Sequence, residues 1–316
     1  MKETLLDANF PRDAQGRTYH VGTKPGEVAN RIITVGDHTR ARRIATNFDG
    51  PPLFESESHR KFLTITGLFK GVPITVVSIG MGFSLVDFFI REVRAVLQGD
   101  MFVVRLGSCG SLSQDAPIGS VVVPLQSVGV LQNYDAFLED AANPAADAAR
   151  CYHITKPLPA DAVLHRALVD ALKARLPPAQ ESVFGGRQPS VVDNLVNAST
   201  DSFYSSQGRT TPFFEDRNSA LIERIQAHGV STFEMETYLL SHLARSHNRA
   251  VHTATDGEMR VAAAQIVFAN RTTAAFVTPA EVEVLERWAG GAVCEALVAA
   301  EISAERLHPK GVWSRE

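Results

Sequence analysis

Short apolar segments, each bounded by glycine, proline or aspartate, recur through the first half of the chain. Their length and β-branched content are typical of strands that are buried on both faces of a sheet. Four of these segments predict strands, at residues 31–35, 74–79, 102–106 and 121–123.

Helical periodicity follows some of these strands. Within residues 83–97, apolar side chains recur at positions i, i+3, i+4 and i+7, namely at Val86, Phe89, Ile90, Val93 and Leu97. Residues 238–247 and 279–304 also predict helices. The alternation predicts an α/β fold, with a mostly parallel or mixed sheet between helices on both faces. Because ligands gather at the carboxyl ends of strands in such folds, functional residues should directly follow strands.

Length and composition fit one large domain. The chain has 316 residues and 45% hydrophobic content, enough for one core over residues 1–316. Two polar stretches, 133–150 and 177–189, show neither a helical nor a strand period. We predict that both are surface loops rather than domain boundaries.

Charge and cysteine content exclude several classes of function. The formal net charge is only −4 and the basic residues are dispersed, which argues against nucleic acid or a membrane surface as a partner. The three cysteines, Cys109, Cys151 and Cys294, lack metal-ligand spacing and suit a reducing compartment. With no signal-peptide pattern and no apolar run near ~18 residues, the sequence predicts a cytoplasmic protein without a metal site.

The first candidate motif spans residues 35–40. Gly36 and Arg40 follow a predicted strand and precede a helix-like segment, where backbone N–H groups and an arginine can hold an anion. The same Gly-Asp pair is also common in ordinary turns. Alone, the motif leaves both interpretations open.

A second motif ends the strand at residues 102–106. Arg105 lies in an otherwise apolar segment, and Gly107 and Gly110 flank Ser108. A buried arginine needs a partner, and glycines let a backbone approach an anion closely. Although a tight turn with a surface arginine is the alternative, the buried position favours anion binding.

Two further motifs carry groups suited to a nucleoside. Phe203, Gln207 and Arg209 offer a stacking face, an amide that donates and accepts, and a cation, which together suit a uracil ring. Met235 and Glu236 precede a predicted helix, where a carboxylate can accept hydrogen bonds from ribose hydroxyls. Taken singly, the first group also fits an ordered surface loop and the second an acidic helix N-terminus.

Taken in order, the four motifs resemble the nucleoside phosphorylase family with the single-domain fold, and within it the uridine phosphorylases. The resemblance extends over residues 19–271. It implies a central mixed, partly barrel-like β-sheet flanked by helices, an N-terminal arm at residues 1–30, and a further insertion at residues 250–259.

The resemblance also implies a phosphate site made partly by a second subunit. By this resemblance, phosphate contacts the residues that match Gly36, Arg40, Arg105 and Ser108. An arginine that matches Arg60 reaches phosphate from the neighbouring subunit, and a histidine that matches His20 reaches the ribose 5′-hydroxyl. The expected protein is therefore a homo-oligomer whose active sites are shared across an interface.

The remaining implied contacts favour a pyrimidine nucleoside. By resemblance, Phe203, Gln207 and Arg209 recognise uracil, while Met235 and Glu236 contact ribose. Purine-specific relatives carry an aspartate after the last core strand, whereas residues 268–272 of this chain read Phe-Ala-Asn-Arg-Thr. The expected reaction is phosphorolysis of uridine, deoxyuridine or thymidine in pyrimidine salvage.

The expected catalytic groups are those that stabilise charge, because no Ser/His/Asp or Cys/His arrangement supplies a nucleophile. They are Arg105, Gln207, Arg209 and Glu236. We expect inorganic phosphate as co-substrate and no cofactor. A water-excluding lid is expected over residues 272–278.

Two departures from the family bear on assembly. Lys61 and Leu85 stand at positions that help to bind a monovalent cation between subunits in some bacterial relatives. Without that cation site, a dimer is the expected assembly. A purine nucleoside phosphorylase, a nucleosidase and a catalytically idle nucleoside-binding protein are the alternative functions.

Overall fold

Residues 5–178, 182–250 and 257–314 are described by the computed structural model of the chain. The helices in this part are α1 (His38–Ala45), α2 (Phe83–Arg94), α3 (Pro144–Cys151), α4 (Ala162–Ala174), α5 (Leu221–Ala227), α6 (Thr237–Ala250) and α7 (Pro279–Ala299). The strands are β1 (Arg31–Val35), β2 (Phe54–Glu57), β3 (Leu63–Phe69), β4 (Val72–Ser78), β5 (Met101–Ser111), β6 (Val121–Val122), β7 (Gln126–Gln132), β8 (Tyr152–Ile154), β9 (Leu158–Pro159), β10 (Val191–Val192), β11 (Val196–Thr200), β12 (Val230–Glu234), β13 (Met259–Asn270) and β14 (Ala275–Phe276).

The centre of the sheet is β5, which has three neighbours. It pairs in parallel with β1 and with β13, and its last residues pair antiparallel with β12. The main order is β2-β3-β4-β1-β5-β12-β11-β7-β8, and β13 also pairs with β6 and β14. The described strands thus form one mixed sheet that branches at β5 and stays open, rather than closing into a barrel.

Alternating side chains of the central strands fill two cores, one on each face of the sheet. Ile33 and Val104 belong to the core that α1, α4 and α7 cover. Their sequence neighbours Ile32 and Val103 point into the core beneath α2 and α6. Burial on both faces explains why these strands are largely apolar. The predicted α/β fold, a mixed sheet flanked by helices, is confirmed.

The strand predicted at residues 31–35 has the predicted bounds, whereas the other predicted strands and helices have shifted ends. The segment predicted at 102–106 is longer, because β5 continues to Ser111. The helix predicted over 83–97 ends at Arg94, and the one predicted over 279–304 ends at Ala299. No helix of the described residues is long and apolar enough to cross a membrane.

The prediction of a loop over residues 133–150 was wrong. This stretch contains a 3-10 helix, Tyr134–Leu138, and most of α3. The signal for α3 lies in its start rather than in periodicity: Asn143 caps the helix by accepting a hydrogen bond from the Ala146 N–H, and Pro144 occupies its first turn. A helix of eight residues is too short for a helical period to identify it in the sequence.

The other two predicted insertions are only partly described. In the stretch 177–189, residues 182–184 form a 3-10 turn, and residues 179–181 lie outside the described residues. In the stretch 250–259, residues 251–256 likewise lie outside them. A loop at 177–189 and an insertion at 250–259 therefore stay predictions.

Candidate active site

One cavity of about 320 Å³ opens where the carboxyl ends of β1, β5, β11, β12 and β13 come together. It gathers nine of the eleven predicted site residues, the exceptions being His20 and Arg60. The lining residues are Gly36, Asp37, Arg40, Met81, Arg105, Ser108, Cys109, Gly110, Phe203, Gln207, Arg209, Phe233, Glu234, Met235, Glu236, Phe268, Ala269 and Phe276.

Arg105 provides a buried cation at one end of this cavity. Its Nη2 donates to Glu236 Oε2 at 2.8 Å, and both side chains are at most 5% exposed. Its Nε and Nη1 are also buried, yet they form no hydrogen bond within the described part of the chain. Because unpaired buried donors are costly, these two nitrogens indicate that a ligand with a hydrogen-bond acceptor binds beside them.

Arg40 supplies the second buried cation. Asp37 caps α1 through a 2.8 Å hydrogen bond from the Arg40 backbone N–H, and this sets the start of the helix after β1. The Arg40 Nε donates to Glu286 Oε1 at 2.8 Å. Gly36 lies beside the Arg105 guanidinium, since a Cβ at Gly36 would stand 3.8 Å from Arg105 Nη2. Four of the five residues predicted for phosphate, all except Arg60, therefore line this cavity, and two of them are buried arginines.

Glu234 shapes the turn between β12 and α6. One of its oxygens accepts the backbone N–H groups of Glu236 and Thr237 at 2.8 and 3.0 Å, while the other accepts Asn197 and Ser199. Burial, and secondly the nearby Glu236 carboxylate, raise the pKa of Glu234. This turn directs Met235 and Glu236 into the cavity.

Glu236 is already engaged on both oxygens. It accepts the Gly82 N–H at 2.7 Å on Oε1 and Arg105 on Oε2. Each oxygen keeps a second lone pair, so the carboxylate can still accept hydrogen bonds from the hydroxyl groups of a ligand.

The loop after β11 presents the groups predicted for the base. The Arg209 guanidinium stacks on the Phe203 ring, with Cζ 3.9 Å from the ring centroid, and hydrogen-bonds to Gln207 Oε1. Gln207 Nε2 donates to Thr200 Oγ1 at 3.0 Å. Burial, and secondly the charge of Arg271, lower the pKa of Arg209 to about 10, so it is a cation at neutral pH.

A hairpin of β13 and β14 forms the rim near this loop. Asn270 Oδ1 accepts the N–H groups of Thr272 and Thr273, and its Nδ2 donates to Ser113 O at 2.9 Å. Arg271 Nη1 donates to the Gln207 carbonyl at 2.8 Å. Asn270 therefore holds the turn, and Arg271 ties the hairpin to the loop.

Comparisons with known proteins agree with this geometry. The model of the Phosphorylase superfamily matches residues 30–298. The chain belongs to this superfamily. As a phosphorylase, it is a pentosyltransferase, an enzyme that moves a pentosyl group.

Three relatives illustrate the range of this superfamily. A solved uridine phosphorylase structure from the oomycete Phytophthora capsici is 36% identical, with a TM-score of 0.82 over 93% of this chain and 100% of that one. The uridine phosphorylase of Thermococcus kodakarensis is 28% identical over 91% of this chain and 94% of its own length. A purine nucleoside phosphorylase of Bacillus subtilis is 27% identical over 73% of this chain and 82% of its own length.

His20 and Arg60 lie outside the cavity of their own phosphorylase chain. His20 Nδ1 lies 2.6 Å from Glu92 Oε1, and its ring stacks on Phe88 at 3.8 Å between centroids. Arg60 Nη2 donates to the Tyr19 hydroxyl at 3.2 Å, and the Tyr19 ring also touches His20. Both residues therefore belong to one surface patch of the phosphorylase.

Several cavity residues of the phosphorylase were not predicted to act. Glu234 directly precedes the predicted ribose contacts Met235 and Glu236 but was given no role. Met81 was not predicted to line the cavity, and Phe276 was expected only as part of the lid over residues 272–278. Glu286, which contacts Arg40, was missed as well. The sequence held one signal for Glu286. It is an acidic residue on the face of α7 whose other residues, Val282, Leu285 and Ala289, are apolar.

Proposed function

We propose that this phosphorylase splits uridine with inorganic phosphate, giving uracil and ribose 1-phosphate. The observation that carries the proposal is the arrangement of one cavity, which has two buried arginines at one end and a stacked Phe203–Arg209 pair with Gln207 at the other. The Glu234–Glu236 turn lies on its wall. A phosphate, a pentose and a planar base each have matching groups.

The phosphate end uses cations that the fold has already desolvated. Arg105 offers two buried nitrogens without partners among the described residues, and Arg40 offers the part of its guanidinium that Glu286 does not occupy. Their charge orients phosphate for in-line attack on C1′ of the sugar, and the bound anion stabilises the oxocarbenium-like transition state. Ser108 adds a hydroxyl donor at the same wall.

The sugar and the leaving base use separate groups. Glu236 accepts the ribose hydroxyls with its remaining lone pairs, and Met235 packs against the sugar. Gln207 donates to and accepts from the uracil edge, while the Arg209 cation stabilises the negative charge that the base acquires on departure. Phosphate is the nucleophile, so no covalent enzyme intermediate is required.

The β13–β14 hairpin supports a pyrimidine over a purine. Within the described residues, the acids that line the cavity are Asp37, Glu234 and Glu236, and none comes from the hairpin. Asn270 stands at the end of β13, and both ends of its amide already have partners: Nδ2 donates to the Ser113 carbonyl, and Oδ1 accepts the Thr272 N–H. No acid on the hairpin is therefore placed to protonate or hold a purine N7.

Purine nucleoside phosphorolysis is the second candidate, favoured by the similarity to the Bacillus subtilis enzyme. The deciding assay follows uracil release from uridine by ultraviolet absorbance with and without phosphate, and hypoxanthine release from inosine alongside. We expect phosphate-dependent uracil release that exceeds inosine cleavage. Faster cleavage of inosine would select the purine reaction, release without phosphate a nucleosidase, and no release at all an idle binding protein.

We further propose a homodimer in which His20 and Arg60 of one subunit complete the cavity of the other. Their common surface patch supports this arrangement, since neither residue faces its own cavity. Mixing an Arg60→Ala variant with an Arg209→Ala variant by refolding should restore about a quarter of the wild-type sites, because each hybrid dimer has one intact site. A mixture that stays as inactive as its two parents would contradict shared sites.

A further inference from the structure

A group of three charged side chains, two of them buried, lies behind the phosphate end of the cavity. The Glu286 carboxylate, on α7, bridges the guanidinium groups of Arg40 and Arg43 on α1. Its Oε1 accepts Arg40 Nε at 2.8 Å, and its Oε2 contacts Arg43 Nη1. Arg40 and Glu286 are only 5% and 4% exposed.

We propose that Glu286 is a positioning residue for phosphate binding. It fixes the plane of the Arg40 guanidinium, so that the remaining N–H donors of Arg40 point to the cavity. This inference rests on the proposed function, because it takes Arg40 as a phosphate ligand.

The geometry gives the Arg40 guanidinium little freedom. Five N–H donors lie in one rigid plane, so two fixed contacts define the orientation of the rest. These contacts are Nε to Glu286 and Nη1 to the Leu106 carbonyl at 3.4 Å. The Phe268 ring, with its centroid 5.7 Å from Arg40 Cζ, limits movement further. Folding therefore already includes the entropy cost of ordering the Arg40 side chain, and phosphate binding does not incur this cost again.

Charge alone argues for the opposite effect of Glu286. A carboxylate behind the site repels phosphate, so its removal would strengthen phosphate binding if net charge decided affinity. Arg43 offsets this repulsion, because the three groups together carry one positive charge. Orientation and charge thus predict opposite outcomes when Glu286 is altered.

Two conservative variants separate these effects. Glu286→Asp keeps the charge but shortens the side chain by one methylene, so Arg40 loses its partner. Glu286→Gln keeps the length and one acceptor oxygen but removes the charge. The affinity of inorganic phosphate, measured by calorimetry without nucleoside, should fall roughly tenfold in Glu286→Asp and change less than about threefold in Glu286→Gln. Wild-type affinity in Glu286→Asp, or binding more than about threefold tighter in Glu286→Gln, would overturn the inference.

Steady-state kinetics distinguish positioning from a general structural defect. We expect KM for phosphate to rise in Glu286→Asp while KM for uridine stays within about twofold. Equal losses for both substrates would overturn the inference. Glu283→Asp is the matched control, since Glu283 lies on the exposed face of α7 and pairs with Arg287 at 2.6 Å.

The proposed function and this inference can fail separately. If the wild-type protein binds phosphate but cleaves no nucleoside, the proposed function fails and the two phosphate affinities still decide the role of Glu286. If the wild-type protein binds no phosphate, there is no site for Glu286 to position, and the inference is overturned.

Discussion

At one end of the cavity, Arg40 and Arg105 project from α1 and β5 and are at most 5% exposed, whereas at the other end Phe203 and Phe276 are 47% and 67% exposed. The two arginines are held by the carboxylates of Glu286 and Glu236. The exposed end instead consists of a loop and a two-residue strand.

The difference concerns which groups are fixed before the ligand arrives. Buried ion pairs hold the phosphate end at a desolvation cost that folding has already met. At the base end, Gln207 and Arg209 hydrogen-bond to each other. This hydrogen bond must weaken or break when a base binds between the ligand-facing groups of the two side chains. Mutations at the first end should therefore damage folding and catalysis together, while those at the second should affect catalysis alone.

The largest expected effect is that of Arg105→Ala. Turnover should fall on the order of 10³-fold, because the main phosphate cation is lost together with the two donors that have no partner among the described residues. The buried Glu236 carboxylate would also lose its counterion, and this should lower the free energy of unfolding by about 3–5 kcal/mol. Urea denaturation and phosphorolysis assays measure the two effects.

The double variant Arg105→Ala/Glu236→Gln separates the two losses. It removes the uncompensated carboxylate, so stability should recover in part while activity stays low. Recovered activity in this variant would mean that Arg105 serves only to neutralise Glu236.

The next largest effect is expected for Arg209→Ala, which should lower turnover roughly 10²–10³-fold because the leaving uracil loses its cation. Stability should change by less than about 1 kcal/mol, since Arg209 lies on a partly exposed loop. Arg287→Ala, which removes an exposed arginine of α7, is the control. Normal turnover in Arg209→Ala would rule out its role with the leaving group.

The phosphate end and the base end also show which features of the site could be predicted from the sequence. Arg105 was recognisable because a charge inside an apolar strand must have a partner, and β5 is such a strand. Glu286 was not, since its partner Arg40 lies 246 positions away and only the packing of α7 on α1 brings them together. The arrangement of the base loop likewise depends on Arg271, whose contact with the Gln207 carbonyl no local pattern encodes.

A smaller effect is expected for Arg271→Met. This variant frees the loop from the β13–β14 hairpin by removing the 2.8 Å bond to the Gln207 carbonyl, so KM for uridine should rise roughly tenfold. KM for phosphate should stay unchanged, because the phosphate end is held independently. Arg260→Met, also on β13, is the control, since Arg260 pairs with Glu258 outside the cavity. A rise in both constants would show that the two ends are coupled.

The smallest effect is expected for thiol reagents. Their reaction with the cysteines tests how tightly the phosphate end of the cavity is packed. Cys109 lines the cavity but is only 5% exposed, and burial, followed by the Glu234 carboxylate, raises its pKa. Burial also raises the pKa of Cys294 to about 12 and that of Cys151 above its usual value. Because the thiolate is the reactive form, iodoacetamide at about pH 8 should leave all three cysteines unmodified in the folded protein and alkylate them in urea, as intact mass would show. Rapid alkylation of Cys109 in the folded protein would mean that the phosphate end opens as readily as the base end, and that the contrast between them is one of charge rather than rigidity.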